Sequence, residues 1–226
     1  MARFIPGVLG TPIGKTDGKV FRQVNGKTFF SFRPDTYNIS QTKSAKNSRQ
    51  AFGTVVQFAK LITSSDELSY CWKKAKIKGT SAYHRILKHN LPLTKDGLLS
   101  IRNQMIPKGF DYTFNCDLNE DSTLLFNLDL SNAGLTLKKF ALNAYFIIAL
   151  FNPASKKSGT EFLVSTIELE QVDNLEDINF NISFSTTEKK IINKYKNLIV
   201  FSALIINSKG KFYNHSASIS KEFSIK

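Results

Sequence analysis

Two short segments carry the residue types that bind phosphate. Gly14-Lys15-Thr16 and Gly26-Lys27-Thr28 each resemble the end of a phosphate-binding loop, where backbone N–H groups and a lysine surround the phosphates. That loop also needs a glycine five positions before its second glycine, and these positions hold Leu9 and Phe21. Because no strand-then-helix pattern surrounds either segment, we interpret the glycines as turn residues. We expect no nucleotide, no other cofactor and no small-molecule ligand.

One acidic segment opens like a calcium-binding loop. Asp117, Asn119 and Asp121 occupy the first, third and fifth positions of that pattern. The glycine required at the sixth position is Ser122, and the glutamate required at the twelfth is Leu128. A turn between two strands explains these acidic residues better, so we predict no metal site.

The three histidines do not complete a catalytic site. His84 and His89 are five positions apart, which separates them by about 140° around a helix, so they cannot share a metal ion. His215 is followed by serines at alternating positions of a predicted strand, but no nucleophile turn surrounds them. We therefore predict that the protein is not an enzyme. An active site assembled from distant residues is the open alternative.

The cations are concentrated in one half of the chain. Of its 226 residues, 31 are Lys or Arg and 18 are Asp or Glu, which gives a formal net charge of +13. Residues 1–112 carry 19 basic and 6 acidic residues, whereas residues 113–226 carry 12 of each. A positive half of this kind attracts an anionic partner, which can be nucleic acid, an acidic protein surface or anionic lipid.

These cations divide into two groups by their context. The lysines from Lys73 to Lys78 close a predicted helix that Asp66 and Glu67 open, so they compensate the helix dipole. Lys43, Lys46 and Arg49, in the opening turns of the first predicted helix, lack this compensation, because no acidic residue lies between Asp35 and Asp66. Together with the cations of the preceding arm they are the candidate residues for contact with an anion or a partner: Lys15, Lys19, Arg22, Lys27, Arg33, Lys43, Lys46 and Arg49. The alternative is a solvated face that favours solubility.

Residues 1–35 are predicted to form a basic, Gly-rich hairpin arm, which positions the first of these cations. Asn25-Gly26 lies between two β-prone runs and favours the two positive φ angles of a type I′ turn. Arg33-Pro34 is predicted to end the pairing, because proline lacks the N–H that the ladder needs. A hairpin of two strands is marginal alone, so it must pack on its own chain or on a neighbouring subunit.

Residues 36–109 are predicted to form a small helical segment. Apolar residues recur there at helical spacing and form one stripe of Phe52, Val55, Val56, Ala59 and Ile62. Two further helices are predicted from Asp66 to Lys76, capped by Ser64 or Ser65, and from Ser81 to His89. The pattern from Leu98 to Met105 fits helix and strand equally.

Residues 110–226 are predicted to form an antiparallel, immunoglobulin-like β-sandwich. Apolar and polar residues alternate there in about seven short strands separated by turn signals. The most apolar stretch, Phe140 to Phe151, is shorter than the roughly 20 residues of a membrane span and is predicted to be a buried strand or strand pair. No signal-peptide pattern is recognised near Met1. We expect no membrane insertion, and a cytoplasmic protein or part of a self-assembling particle.

The order of these features resembles a family of uncharacterised proteins from Bacteroidetes, described only as a domain of unknown function. The residues that carry the resemblance are Gly14-Lys15, Gly18, Val20, Gly26-Lys27-Thr28, Pro34, Arg49, Phe52, Phe151-Asn152-Pro153 and the segment from Gly210 to Ser218. The resemblance implies a basic N-terminal motif followed by a β-rich domain, and it implies no activity. Ser31 departs from the family pattern, where a basic residue is expected, and Arg33 is a substitute for it.

These observations predict a mainly β (α+β) protein that acts without catalysis, as a structural or interaction protein. Its basic arm is expected to dock on a protein partner or on a neighbouring subunit of an assembly. The alternative is a nucleic-acid-binding protein that uses the basic N-terminal half. In that case the aromatic residues of the arm would stack on bases: Phe21, Phe29, Phe30 and Phe32.

Overall fold

A computed structural model describes residues 3–5, 11–16, 18–24, 26–32, 39–119, 123–134, 140–154, 159–172, 175–176, 178–208 and 210–225. The chain is mainly β with antiparallel sheets, as predicted. It divides into two compact units, Met1–Thr42 and Lys43–Lys226. Within the described ranges, every helix is too short or too polar to cross a lipid bilayer.

The first unit is a four-stranded antiparallel sheet whose strands follow chain order. The strands are β1 (Arg3–Ile5), β2 (Thr11–Thr16), β3 (Lys19–Val24) and β4 (Lys27–Phe32). The predicted hairpin is confirmed: Val24 pairs with Lys27, and Gly26 has a φ of +74°, which glycine adopts without steric cost. The arm is larger than predicted, because β1 and β2 extend the hairpin. The predicted end at Arg33-Pro34 lies outside the described residues.

The second unit stacks three layers. Its helices are α1 (Lys43–Ser64), α2 (Asp66–Lys74), α3 (Ala82–Asn90) and α4 (Thr186–Ile192). Its strands are β5 (Thr113–Leu118), β6 (Thr123–Asp129), β7 (Phe140–Pro153), β8 (Glu161–Val172), β9 (Ile178–Ser183), β10 (Tyr195–Ser208), β11 (Lys211–His215) and β12 (Ile219–Ser224). The middle layer is a five-stranded sheet in the order β11-β10-β7-β8, with β12 also paired to β10. A three-stranded sheet, β5-β6-β9, packs on one face, and α1 to α3 pack on the other.

Burial of the middle sheet on both faces explains its long apolar runs. Successive residues of a strand point to opposite faces, so Phe146 and Val200 contact the three-stranded sheet whereas Ile147 and Phe201 contact the helices. The predicted buried strand from Phe140 to Phe151 is therefore confirmed. The helices and the two sheets share these cores, so the predicted boundary between residues 109 and 110 lies inside one compact unit.

The apolar stripe of α1 follows the predicted period, but one member of the predicted set is wrong. Its fully buried side chains include Val55, Ala59 and Ile62. Phe52 is 54% exposed, and the large residue that enters the core is Phe58, whose ring centroid lies 5.0 Å from that of Phe201. The side of α1 that contains Phe58 packs on the sheet, and Phe52 lies outside this buried side of the helix.

Local signals located the N-termini of the next two helices, whereas α2 ends at Lys74 and not at the predicted Lys76. The Ser65 hydroxyl accepts the Leu68 N–H at 3.4 Å, and the Ser81 hydroxyl accepts the His84 N–H at 3.3 Å. Helix α4 was not predicted, although its N-terminus has a capping box formed by Ser185 and Glu188.

The segment from Leu98 to Met105, which the sequence left open between helix and strand, forms turns instead. The side chain of Asn103 holds these turns: its carbonyl oxygen accepts the Ser100 N–H at 2.8 Å, and its amide donates to the Asn90 carbonyl at 2.9 Å. Asn103 is buried, so these bonds replace the ladder that a regular element would supply.

Two glycines of the second unit allow a matched test of backbone packing. A Cβ added at Gly109 would lie 2.1 Å from the His215 carbonyl oxygen, whereas a Cβ added at Gly53 in α1 meets nothing within 4 Å. We expect Gly109→Ala to lower the free energy of unfolding by about 1–3 kcal/mol. Gly53→Ala is expected to raise it by about 1 kcal/mol, because alanine favours a helix interior. Urea titration of both variants measures this, and changes of the same sign would contradict the packing.

Candidate interaction surface

The cations of the arm lie on the hairpin of β3 and β4, whose register decides which face each side chain occupies. Directly paired residues of antiparallel strands share a face, and successive residues alternate between faces. Lys19 pairs with Phe32 and Phe21 pairs with Phe30. These four side chains therefore share one face of the hairpin, which we name the aromatic face.

The rings of the aromatic face form a continuous row. The ring centroids of Phe21 and Phe30 are 6.3 Å apart, and those of Phe30 and Phe32 are 6.1 Å apart in an edge-to-face arrangement. The Lys19 ammonium lies 5.7 Å from the centroid of Phe32, within the range of a cation–π contact. The row thus ends in a positive charge that lies next to a ring.

The opposite face of the hairpin is basic. Arg22 pairs with Phe29, and Lys27 lies two positions before Phe29 in β4, so these three side chains share a face that we name the basic face. All three are exposed. No cation of this hairpin forms an ion pair with another described residue. The basic face thus presents exposed positive charge.

The hairpin exposes large apolar side chains on both faces. All six side chains of β4 are exposed, with Phe29 at 54%, Phe30 at 63% and Phe32 at 71%. A sheet ordinarily buries at least one face against a second layer. Over the described residues of the first unit, neither face of this hairpin is covered in that way. The surface is therefore typical of one that binds another molecule.

The remaining predicted cations lie elsewhere or outside the described side chains. Lys43, Lys46 and Arg49 are exposed in the opening turns of α1, which has no acidic residue in its first turn. They belong to the second compact unit. Lys15 lies in β2, and only its backbone is described; Arg33 lies outside the described residues. The structure thus brings three of the eight candidates together on one hairpin and assigns three others to a different unit.

Sequence analysis missed a polar cluster between α2 and the middle sheet. Glu67 accepts hydrogen bonds from the Asn143 amide at 3.1 Å, the Tyr145 hydroxyl at 2.6 Å and the Asn207 amide at 2.8 Å. Burial, and then the bond to Glu67, raises the pKa of Tyr145 to about 12. Three donors already occupy the carboxylate, which makes it a poor general base. A sequence signal existed, because Asn143 interrupts the most apolar stretch of the chain.

The other side chains that could take part in a reaction or bind a metal ion are buried or form an ion pair. Cys71 and Cys116 are buried, and this burial raises the pKa of each thiol to about 12, far from the value of a reactive thiolate. Burial also lowers the pKa of His215. Asp117, from the segment that resembles a calcium loop, lies 3.4 Å from the Lys221 ammonium. No cluster of three His, Cys, Asp or Glu able to hold a metal ion occurs among the described residues.

Comparison of the sequence with protein-family models and with curated proteins finds no match. The resemblance to uncharacterised Bacteroidetes proteins therefore stays a prediction.

Proposed function

We propose that this protein is a non-enzymatic structural or interaction protein whose N-terminal sheet docks on a protein partner or on a neighbouring subunit of an assembly. The observation that carries the proposal is the exposure of Phe30 and Phe32 on the aromatic face, at 63% and 71%. Burying one such side chain contributes about 1.5–3 kcal/mol. The aromatic face gains this free energy only when a second surface covers it.

The charge around the rings indicates the kind of partner. Lys19 lies beside the aromatic face, and Arg22 and Lys27 lie on the basic face. A cation beside an apolar surface attracts an acidic partner and fixes its orientation, and the two cations of the opposite face add to the positive field of the hairpin. An acidic protein surface with apolar pockets would match both properties of the hairpin.

We further infer that the packed sheets of the second unit are a variant of the immunoglobulin-like sandwich. The strand order supports this inference. When β5 is taken as strand A, β5-β6-β9 corresponds to the A-B-E order, and β7-β10-β12 to the C-F-G order, of that architecture. The resemblance to the Bacteroidetes family points to the same arrangement of a basic motif before a β-rich domain. Many interaction domains use this sandwich.

The double variant Phe30→Ser/Phe32→Ser tests the docking role of the aromatic face. Full-length protein is immobilised, and the proteins that it retains from an extract of its native source are quantified by mass spectrometry. Because two exposed rings are removed, we expect at least a tenfold loss of the specifically retained partner, which corresponds to about 1.4 kcal/mol.

Phe52→Ser is the matched control for that experiment. Phe52 is 54% exposed on α1, so its replacement removes a comparable ring from a different unit. Retention equal to that of the unaltered protein is expected for this control. Equal retention by the double variant as well would contradict the proposal.

A second candidate function is the binding of single-stranded nucleic acid. A specific observation favours it: the row of three rings with the Lys19 ammonium 5.7 Å from Phe32 could stack bases and contact phosphate. Fluorescence anisotropy of a labelled oligonucleotide at about 50 mM salt tests it, because phosphate contacts are strong there and weaken steeply as salt rises. Binding that is lost in Phe30→Ser/Phe32→Ser would support this function. Undetectable binding of the unaltered protein would end it.

A further inference from the structure

The strand β8 ends the middle sheet of the second unit and offers a long unpaired edge. It has 12 residues and pairs with β7 on one side, and no described strand pairs with its other side. The free edge of such a strand presents a row of N–H and C=O groups that can accept another strand. Native proteins usually protect edges of this length with lysine, proline or a covering loop.

The strand β8 lacks the lysines that protect many edge strands, and its charge is negative. The strand contains three glutamates and neither lysine nor arginine: Glu161, Glu168 and Glu170. Glu168 is exposed. An acidic edge of this kind favours a basic incoming strand, because opposite charges on neighbouring strands attract.

A cleft lies beside β8 on the side of the helices. Its volume is about 200 Å³, and its walls include Leu61 of α1, Leu68 of α2 and the β8 residues Val164 and Thr166. Val164 is 50% exposed, although it is an apolar residue in the middle of the strand. The helix layer therefore leaves part of the apolar surface of β8 uncovered.

The strand β4 has the properties that this edge requires. It ends the sheet of the first unit and pairs only with β3 among the described strands. The hairpin of β3 and β4 contains three cations and no acidic residue. Lys27 and Phe29 of the basic face are two positions apart, the same spacing as Glu168 and Thr166 on the helix side of β8. An antiparallel β4 added with its basic face on this side would therefore place Lys27 beside Glu168, and Phe29 beside Thr166 where the cleft lies.

We propose that β4 of one copy of this chain adds to the free edge of β8 in a second copy. The inference rests on the proposed docking role of the N-terminal sheet and names the chain itself as the partner. Backbone hydrogen bonds between the two strands supply affinity that does not depend on sequence. The cleft and the charged side chains make the pairing specific for β4. Pairing of β8 with another β8, or of β4 with another β4, is disfavoured because it brings like charges together.

A charge exchange between two full-length variants tests this pairing. The first variant, Thr166→Lys/Glu168→Lys, changes the formal charge of β8 from −3 to zero; the second, Arg22→Glu/Lys27→Glu, changes that of the hairpin from +3 to −1. Light scattering and sedimentation velocity report the mass of each sample against the 25.4 kDa of one chain. The unaltered protein is expected to associate as its concentration rises. Each variant alone is expected to associate more than tenfold more weakly, because the attraction between the hairpin and β8 is removed in the first variant and reversed in the second.

The mixture of the two variants distinguishes this pairing from a folding defect. In the mixture, the basic hairpin of the first variant meets the unaltered acidic β8 of the second, so association is expected to return. Two controls match the charge changes: Glu222→Lys/Ser224→Lys on the exposed part of β12, and Lys60→Glu/Lys88→Glu on the exposed helices. Both controls are expected to associate like the unaltered protein.

Two results would overturn the strand pairing. One is an unaltered protein that stays monomeric at the highest attainable concentration; the other is a mixture that associates no better than its components. The proposed function has a separate outcome. The unaltered chain could be monomeric and yet retain a different protein from the extract. If Phe30→Ser/Phe32→Ser no longer retains that protein, the proposed docking function is supported, and only the identity of the partner changes.

Discussion

Replacing Trp72 with alanine is expected to lower the free energy of unfolding of this protein by about 3–5 kcal/mol. Trp72 is the single tryptophan of the chain and is fully buried in α2. It belongs to the core that joins the helices to the middle sheet, together with Phe58 and Phe201. Alanine would leave a cavity at the contact between two layers, where neighbouring helices and strands can close only part of the space.

Part of this effect comes from a hydrogen bond. The indole N–H of Trp72 donates to the Met105 carbonyl at 2.9 Å, and that carbonyl belongs to the turn segment that precedes β5. Trp72→Phe retains most of the ring but leaves the carbonyl without its donor. We expect it to cost about 1–3 kcal/mol, less than alanine, because an unpaired buried acceptor adds to a smaller cavity.

Urea unfolding followed by circular dichroism measures both variants, since the tryptophan fluorescence is lost with the side chain. Tyr70→Ala is the control on the same helix, because Tyr70 is 42% exposed and its truncation creates no closed cavity. A loss for Trp72→Ala no larger than the loss for Tyr70→Ala would contradict the shared core of helices and sheet.

Replacing Glu67 with alanine is expected to cost about 2–4 kcal/mol of the free energy of unfolding. The side chain accepts three hydrogen bonds from the sheet, and two of its donors are amides of Asn143 and Asn207. Alanine leaves these donors and the Tyr145 hydroxyl without their partner in a partly buried place. Glu67→Gln is expected to cost less, because it retains one acceptor oxygen.

Asp66→Ala is the matched control for the cluster. Asp66 is exposed in the same first turn of α2, so its loss removes the favourable charge at the helix N-terminus, worth about 0.3–1 kcal/mol, and no bond to the sheet. Urea unfolding at neutral pH compares the two. A cost for Glu67→Ala that only equals the cost for Asp66→Ala would show that the cluster does not join the layers.

The same cluster has an expected signature at alkaline pH. The pKa of Tyr145 is raised from 10.0 to about 12 in the folded protein, so the folded state holds this proton more tightly than the unfolded state does. The protonated Tyr145 hydroxyl therefore contributes fully to the free energy of unfolding below pH 10, and this contribution is lost as the pH rises toward 12. In Glu67→Ala, the tyrosinate absorbance of Tyr145 is expected to develop at lower pH, because the hydrogen bond and the negative charge that oppose ionisation are gone. Comparison of each alkaline titration with that of Tyr145→Phe isolates this residue.

Elements that depend on a few neighbouring residues could be predicted from the sequence. The Asn25-Gly26 turn requires only that glycine adopt a positive φ between two β-prone runs. The start of α2 at Asp66 requires only a serine whose hydroxyl reaches the N–H of Leu68. The candidate cations on the hairpin could also be identified in this way, because their type and their position in the two β-prone runs do not depend on distant contacts.

Features that depend on which surfaces meet could not be predicted in this way. Helical period alone placed Phe52 in the core, but the orientation of α1 on the sheet buries Phe58 instead. The cluster at Glu67 needs Asn207, which is 140 positions away along the chain. No local signal relates residues at such a distance, because their proximity arises only when the layers pack.

The same distinction applies to the positive charge of the N-terminal half. The sequence by itself determined that the excess cations lie before residue 113 and that a hairpin carries some of them. Only the tertiary structure decided that the candidate cations divide between two compact units, and that strand register sorts those of the hairpin onto an aromatic face and a basic face. The physical reason is that charge is a property of each residue, whereas a surface is a property of pairing and packing between residues that are distant in the sequence.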